Sequence, residues 1–177
     1  MKPLNNIGIW LFSKHGQLEP ITLEEIDISK KMSPTRAEEY KKSRGYIRKV
    51  LSNIFEVHPL EIPLKALPGK PPELIGDKGF ISLSHCEDLI LLVWSDKNIG
   101  ADIERKDRKV SKNLVINRFF KQYEELYFSD NNSINKNFMD IWVINESIIK
   151  YQKTGLFIGM KDWEIDLQKN TSINLVN

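Results

Sequence analysis

The stretch Phe80-Ile-Ser-Leu-Ser-His-Cys-Glu-Asp-Leu-Ile-Leu-Leu-Val-Trp94 contains two runs of β-forming residues around a short polar segment. The first run covers Phe80 to His85, and the second covers Leu89 to Trp94. Apolar and β-branched runs on either side of a polar break are typical of paired strands. We therefore predict a β-hairpin with Cys86-Glu87-Asp88 as its turn, and with it an antiparallel sheet.

Upstream of the hairpin, the sequence predicts one strand and one long helix. Ile7 to Ser13 is rich in apolar and aromatic residues, which favours a strand. Ser33-Pro34 is typical of a helix start, and apolar residues at helical spacing follow it, so we predict a helix from Pro34 to Phe55. The prolines between Pro59 and Pro72 indicate an extended connection without regular elements.

Downstream of the hairpin, the pattern changes from strand to helix and back. Ile99 to Glu104 is predicted to be a strand, and the segments Leu114 to Phe128 and Phe138 to Tyr151 to be helices, with a polar Asn/Ser loop between them. Trp163 to Leu167 and Ile173 to Val176 are predicted as short closing strands. This order suggests two similar halves, residues 1–98 and 99–177.

Composition excludes several classes of protein. The chain has 177 residues, 41% of them hydrophobic and 28% charged, which is typical of a globular protein. A net charge of +2 is too small to indicate nucleic-acid binding. The longest apolar run, Leu89 to Trp94, is too short to span a membrane, and the N-terminus lacks a signal-peptide core, so we expect a cytoplasmic protein. One cysteine, Cys86, cannot form an intrachain disulfide.

Two acidic residues in the predicted strand at Ile99 to Glu104 are candidate metal ligands. Asp102 and Glu104 alternate with Ile103, so their side chains leave the same face of a strand, about 7 Å apart. Carboxylate oxygens together with phosphate and water are the ligands that Mg²⁺ prefers. By itself such a pair is more often a solvated strand end than a metal site.

A second candidate group recurs every four residues on the later predicted helix. Trp142, Glu146 and Lys150 form one stripe that combines an aromatic ring, an acid and a base. The alternative is a surface Glu–Lys pair that contributes about 0.3 kcal/mol.

Other polar residues allow a functional and a structural interpretation. Ser84 and His85 end a predicted strand, where they would contact phosphate or stabilise the fold. Arg36 and Arg44 give the long helix a basic edge or a solvated face. Gly69-Lys70-Pro71 lacks the spacing of a Walker phosphate-binding loop, which disfavours a P-loop nucleotidase.

In order along the chain, these segments resemble a known family. The sequence Ile99-Gly-Ala-Asp102-Ile-Glu104 is followed some forty residues later by Trp142-Val-Ile-Asn-Glu146-Ser-Ile-Ile-Lys150, with Phe80-Ile-Ser-Leu-Ser-His85 before them and Arg118-Phe-Phe between them. This series is similar to the successive motifs of the surfactin-synthetase-type 4'-phosphopantetheinyl transferases. The resemblance covers residues 7–160.

The resemblance implies an α+β fold of two pseudo-symmetric halves. Each half would consist of a small, mainly antiparallel sheet packed on a long helix, with a ligand cleft between the halves. It also implies a Mg²⁺-dependent enzyme, expected to be a monomer, that transfers the phosphopantetheine arm of coenzyme A to a serine of an acyl-, peptidyl- or polyketide-carrier protein. The pathway served would be fatty-acid, polyketide or nonribosomal peptide biosynthesis.

The resemblance further implies roles for individual residues. The metal ligands would be Asp102, Glu104 and Glu146. The residues that hold coenzyme A would be Arg36, Arg44, Lys70, Pro71, Ser84, His85 and Lys150. The catalytic groups would be Lys150, which binds phosphate, and Glu146, which we favour over Glu124 as the acceptor of the serine proton.

The sequence departs from the family pattern at three points, and two of them, Asn145 and the early end of the sequence, motivate an alternative function. Asn145 and Glu39 occupy positions where the family can have a basic residue, and the second sheet is expected to be small because the sequence given stops at Asn177. The alternative is a non-catalytic module of the same fold that binds coenzyme A or a carrier protein.

A carrier protein needs a docking surface, and one basic and aromatic segment is a candidate. The residues are Arg118, Phe119, Phe120 and Lys121. Phe119 and Phe120 are equally compatible with core positions.

Overall fold

The structure is a computed structural model that describes residues 6–65, 67, 70–120, 123, 127–153 and 163–175, without the side chains of residues 118 and 119. The chain divides into two compact units, Met1–Ile99 and Gly100–Asn177. Helices and small antiparallel sheets make up the described elements, so the predicted α+β class is confirmed. The pseudo-symmetry of two halves and the cleft between them stay predictions.

The described residues of the first unit form five strands and two α-helices. In chain order they are β1 (Ile7–Ser13), α1 (Leu23–Ser29), α2 (Pro34–Phe55), β2 (Leu64–Lys65), β3 (Glu73–Leu74), β4 (Phe80–Cys86) and β5 (Leu89–Ser95). The predicted bounds of β1 and α2 are confirmed, and so is the hairpin. The proline-rich connection is more regular than predicted, because it contains a 3₁₀ helix at Pro59–Glu61 and the short antiparallel pair β2–β3.

The two hairpin strands, β4 and β5, form a three-stranded antiparallel sheet with β1. The strand order is β1-β5-β4, so β5 is the central strand. The hairpin turn is tighter than predicted, since Cys86 pairs with Leu89 and only Glu87 and Asp88 lie between the strands. Glu87 has a φ of 44°, the left-handed conformation that a two-residue hairpin turn requires. Leu92 on the central strand lies opposite Trp10 on β1 and opposite Leu83 on β4.

One face of this sheet packs on α2. Ile47 and Leu51 of the helix have no exposed surface and form a cluster with Leu92, and Trp10 and Leu83 pack around it. Burial of apolar side chains on both elements holds the helix across the strands.

Helix α1 is an element that we did not predict. Its N-cap Thr22 accepts a hydrogen bond from the backbone N–H of Glu25, and the carboxylate of Glu25 accepts one from the backbone N–H of Thr22 in return. This reciprocal arrangement is a capping box, and its sequence signature, Thr-x-x-Glu, is present at Thr22-Leu-Glu-Glu25.

A buried ion pair joins α1 to α2. The guanidinium of Arg48 donates to both carboxylate oxygens of Glu25, at 2.8 and 3.0 Å, and to the carbonyl oxygens of Pro59 and Ile62, both at 3.1 Å. The two charged side chains are only 3% and 6% exposed. Arg48 therefore stabilises the first unit.

The second unit contains two α-helices and one hairpin in the described residues. They are α3 (Lys112–Phe119), α4 (Asn131–Gln152), β6 (Trp163–Asp166) and β7 (Thr171–Asn174). Helix α4 begins seven residues before its predicted start, because Asp130 caps it by accepting a hydrogen bond from the N–H of Ser133. The polar Asn/Ser stretch is thus helical. Helix α3 ends at Phe119, short of the predicted Phe128.

The core of the second unit is aromatic and lies against α4. Phe138 and Ile141 on α4 have no exposed surface and pack with Phe120, Phe128 and Ile165. Two tyrosines connect this core to the hairpin. The hydroxyl of Tyr123 donates to the carbonyl oxygen of Trp163, and that of Tyr127 to the carbonyl oxygen of Ile165.

The prediction of a strand at Ile99 to Glu104 is wrong. The segment contains no strand in the structure. Its alternating apolar residues satisfied the strand pattern, but the neighbour of this segment is helix α4 rather than another strand.

No helix in the described part of the chain is long and apolar enough to cross a membrane.

The buried ion pair between Glu25 and Arg48 gives the first testable prediction. We expect Glu25→Gln to lower the free energy of unfolding in urea by about 3–5 kcal/mol, because it leaves the buried guanidinium without its counter-charge. The matched control is Glu38→Gln, which affects a pair with Lys41 in which the glutamate is 58% exposed. That control should cost at most about 1 kcal/mol. Equal losses in the two variants would contradict the assigned role of the pair.

Candidate active site

Helix α4 places three of the predicted functional side chains on one stripe. Trp142, Glu146 and Lys150 follow each other at intervals of four residues and are all half-buried. The neighbouring stripe, with Ile141, Asn145 and Ile148, is buried in the core. The functional stripe therefore lies at the edge of the core, where a charge is partly removed from water and is still accessible.

A close backbone contact brings the segment with Asp102 and Glu104 onto this helix. A Cβ at Gly100 would overlap the carbonyl oxygen of Ser147 and the backbone N of Tyr151, and would lie 2.9 Å from the Cα of Tyr151. Only glycine permits so close an approach of the two backbones. The contact aligns the segment with the last turns of α4, next to Lys150.

Asp102 and Lys150 form the best-defined contact of the site. The Nζ of Lys150 donates to Oδ1 of Asp102 at 2.6 Å, between residues 48 positions apart in the sequence. The side chain of Asp102 is 9% exposed and that of Lys150 is 27% exposed. A charge pair with this burial is screened less by water than a surface pair. Lys150 therefore forms a partly buried pair with Asp102, and not the ordinary surface Glu–Lys pair that was the alternative.

Glu104 contacts a cation that the sequence analysis did not single out. Its Oε2 accepts from Nη1 of Arg108, and the carboxylate is 14% exposed. The Cζ of Arg108 also lies 5.9 Å from the ring centroid of Trp142, within the range of a cation–π contact. The i,i+4 spacing of Glu104 and Arg108 was the only signal in the sequence, and outside a helix it has no predictive value.

Glu146 is subject to the charges of all these groups. Burial raises the pKa of Glu146 above its ordinary value, and the negative charges of Asp102 and Glu104 raise it further. The positive charges of Lys150 and Arg108 act in the opposite direction. Three acids from two separate segments are thus close enough to repel one another.

Comparisons with known proteins find a similarity in the part of the chain that contains these residues. Residues 98–177 match the family model described as the 4'-phosphopantetheinyl transferase superfamily, and this range includes Asp102, Glu104, Glu146 and Lys150. The second unit of the chain is therefore similar to the 4'-phosphopantetheinyl transferase superfamily.

Two transferases of Bacillus subtilis are similar to the chain. The 4'-phosphopantetheinyl transferase ffp is 25% identical over 176 residues, which cover 88% of this chain and 76% of that protein. The 4'-phosphopantetheinyl transferase Sfp of strain 168 is 25% identical over 134 residues. That alignment covers 73% of this chain and 58% of Sfp, which is less than two thirds of its length.

The three acids of the site fit a hard divalent cation by their chemistry. Asp102, Glu104 and Glu146 supply carboxylate oxygens, and a cation among them would offset the repulsion that raises the pKa of Glu146. In the described residues, however, no three His, Cys, Asp or Glu side chains converge closely enough to hold a metal ion. Asp102 and Glu104 instead contact Lys150 and Arg108.

In the first unit, Ser84 and His85 lie on opposite faces of β4. Nε2 of His85 lies 2.8 Å from Oγ of Ser43 on α2, so the ring faces that helix. Side chains alternate along a strand, which directs Ser84 to the other face, where it is 4% exposed. The structure thus brings His85 together with α2 and not with Ser84.

Arg44, also in the first unit, is buried and has hydrogen-bond donors without an acceptor in the described residues. It is 6% exposed, and its Cζ lies 4.7 Å from the ring centroid of Tyr40. Nε and Nη1 have no hydrogen-bond acceptor in the described part of the chain. Burial lowers the pKa of Arg44 from its ordinary value. A buried guanidinium with unused donors is suited to an anion.

The remaining predicted residues are exposed or lie outside the description. Arg36 is 64% exposed and lies 3.5 Å from Glu39, which also pairs with Lys14 at 2.8 Å. Lys70 and Pro71 are exposed. Glu124 and Lys121 lie outside the described residues, as do the side chains of Arg118 and Phe119. Phe120 has no exposed surface, so the core alternative is correct for it.

The close approach at Gly100 gives the second prediction. We expect Gly100→Ala to lower the free energy of unfolding by about 1–3 kcal/mol, because the added methyl group overlaps backbone atoms that cannot rotate away. Hydrogen exchange should become faster at the amides of residues 100–104 and 147–151. Gly76→Ala is the control. No atom of the described residues lies within 4 Å of a Cβ at that position, so there the substitution adds the strain of a positive φ. Unchanged exchange at both segments in Gly100→Ala would contradict the packing.

Proposed function

We propose that this chain is a Mg²⁺-dependent 4'-phosphopantetheinyl transferase. It transfers the phosphopantetheine arm of coenzyme A to a serine of an apo acyl-, peptidyl- or polyketide-carrier protein and releases 3',5'-ADP. The observation that carries the proposal is the 2.6 Å contact between Lys150 and Asp102, because it joins the two motifs of the family in one site.

The reaction is a substitution at phosphorus. The serine oxygen forms a bond to the pantetheine-side phosphorus of the pyrophosphate. The bridging P–O bond to 3',5'-ADP breaks, and its electron pair leaves with that product. Negative charge grows on the bridging and non-bridging oxygens, so preorganised positive charge accelerates the step.

The residues of the second unit supply what this reaction needs. Lys150 offers an ammonium group to the phosphate oxygens when it exchanges Asp102 for substrate. Asp102, Glu104 and Glu146 would hold the cation, which would neutralise charge on the pyrophosphate. Glu146 accepts the serine proton. Without the cation, burial and the charge of Asp102 raise the pKa of Glu146 above its ordinary value. Glu124 is the alternative acceptor.

The first unit is proposed to bind the coenzyme A nucleotide. Arg44 supports this assignment with two buried donors that have no acceptor in the described residues, and Arg36 with an exposed guanidinium on the same helix. We assign both to the 3'-phosphate. Lys70, Pro71, Ser84 and His85 complete the proposed coenzyme A site.

The non-catalytic alternative gains no support from Asn145. This side chain is 1% exposed, and its Nδ2 donates to the carbonyl oxygen of Ile141 within the core of the second unit. The asparagine thus fills a core position. Tight coenzyme A binding in calorimetry, with no transfer to any carrier protein, would favour the alternative.

The third prediction tests the transfer itself. With coenzyme A, Mg²⁺ and an apo carrier protein, the carrier should gain about 340 Da by mass spectrometry, the mass of the transferred arm. Asp102→Ala and Glu146→Ala should each reduce the rate at least about 100-fold through lost charge stabilisation. Glu164→Ala, which removes an exposed acid of β6, is the control and should stay within about twofold of wild type. Near-wild-type rates in the two site variants would refute the metal assignment.

The fourth prediction tests the 3'-phosphate site. Dephospho-coenzyme A lacks this phosphate, so a residue that binds it should discriminate between the two substrates. We expect Arg44→Gln and Arg36→Gln to raise KM for coenzyme A by about tenfold, the effect of one lost charge-assisted contact, and to leave KM for dephospho-coenzyme A unchanged. Lys41→Gln on the same helix, where Lys41 pairs with Glu38, is the control. An equal rise for both substrates would indicate a structural role instead.

A further inference from the structure

Arg108 is a positive charge among the acids of the site that no family motif assigns. Its Nη1 pairs with Oε2 of Glu104, and its guanidinium carbon lies 5.9 Å from the ring centroid of Trp142. Its charge also acts on Glu146. Three independent neighbours therefore place this cation in the acid cluster.

The contact with Glu104 creates a competition. Oε2 of Glu104 interacts with Arg108, and the same carboxylate is a proposed ligand of the divalent cation. The other oxygen, Oε1, accepts a hydrogen bond from the backbone N–H of Arg105 at 2.9 Å. A guanidinium and a metal ion on the same carboxylate repel each other, so binding of the cation at Glu104 favours a position of Arg108 away from this carboxylate.

Arg108 can move without disturbing the fold. It belongs to a loop segment outside the helices, and its side chain is 47% exposed. The guanidinium of Arg108 lies close to the Trp142 ring, so it can leave Glu104 by a short movement and keep this contact. A planar guanidinium binds phosphate oxygens with two parallel hydrogen bonds, so a pyrophosphate offers it a better partner than a single carboxylate oxygen.

We propose that Arg108 is an internal counter-ion of Glu104 that a divalent cation displaces, and that the pyrophosphate of coenzyme A then binds the released guanidinium. Binding of the divalent cation and of coenzyme A is therefore cooperative in part because of Arg108. This inference rests on the proposed function of the same site. By linkage, each ligand strengthens the binding of the other by the same factor.

The test measures metal affinity and needs no turnover. The dissociation constant of Mn²⁺ is measured from the electron paramagnetic resonance signal of the free ion, with and without saturating coenzyme A and corrected by enzyme-free titrations. The proteins are wild type, Arg108→Gln and Arg108→Lys. The matched control is Arg105→Gln. Arg105 lies in the same loop, its side chain is 45% exposed, and its guanidinium pairs with Asp107.

We expect wild-type protein to bind Mn²⁺ at least about tenfold more tightly with coenzyme A than without it, within the usual range of coupling between sites. Arg108→Gln should bind Mn²⁺ alone about fivefold more tightly than wild type, and its coupling to coenzyme A should be about fivefold smaller. Arg108→Lys retains the charge and should lie between the two. Arg105→Gln should match wild type within about twofold.

Two results would overturn the inference without affecting the proposed function. The first is a wild-type protein that modifies a carrier while Arg108→Gln changes Mn²⁺ affinity no more than Arg105→Gln does. The second is weaker Mn²⁺ binding in Arg108→Gln, which would make Arg108 a support of the cation site. A wild-type protein that neither binds coenzyme A nor modifies any carrier overturns the proposed function and the coupling together.

Discussion

The site depends on the contact between the backbone at Gly100 and the backbone of α4 at Ser147 and Tyr151. A side chain at position 100 would hold the two segments apart. With glycine there, the segment lies on the helix, and Asp102 comes within 2.6 Å of Lys150. The absence of a side chain at Gly100 thus allows two motifs that are more than forty residues apart to come into contact.

Bringing these motifs together concentrates negative charge at the edge of an apolar core. Asp102 and Glu104 are 9% and 14% exposed, and burial raises the pKa of Glu146. Partly buried carboxylates need compensation. Lys150 and Arg108 supply it from two different elements, one from a helix and one from a loop. In this structure the negative charge of the three acids is therefore balanced in part by two cationic side chains.

Much of the fold follows from the sequence because local signals and tertiary contacts agree. Ser33-Pro34 marks the start of α2, and the alternating runs around Glu87-Asp88 specify the hairpin. Where prediction failed, the information lay elsewhere in the chain. The segment Ile99 to Glu104 has the alternating pattern of a strand. In the structure it packs against helix α4, and the local pattern does not encode this contact. The capping box at Thr22 and Glu25 was a readable local signal that we overlooked.

The site residues divide in the same way. The motifs singled out Asp102, Glu104, Glu146 and Lys150, because the proposed metal and phosphate site requires those residue types. Arg108 belongs to no motif, and its role depends on a loop conformation that spacing does not encode.

Two buried arginines of α2 show that burial alone does not distinguish a structural role from a role in ligand binding. Arg48 and Arg44 lie one helical turn apart and are 3% and 6% exposed. Arg48 directs its donors to Glu25, Pro59 and Ile62, so its charge is compensated within the fold. Arg44 keeps Nε and Nη1 without an acceptor in the described residues, a state that costs about 1–3 kcal/mol for each donor. Because proteins are only marginally stable, we expect such unsatisfied donors where a bound ligand supplies the missing acceptor. We therefore assign the anion to Arg44 and not to Arg48.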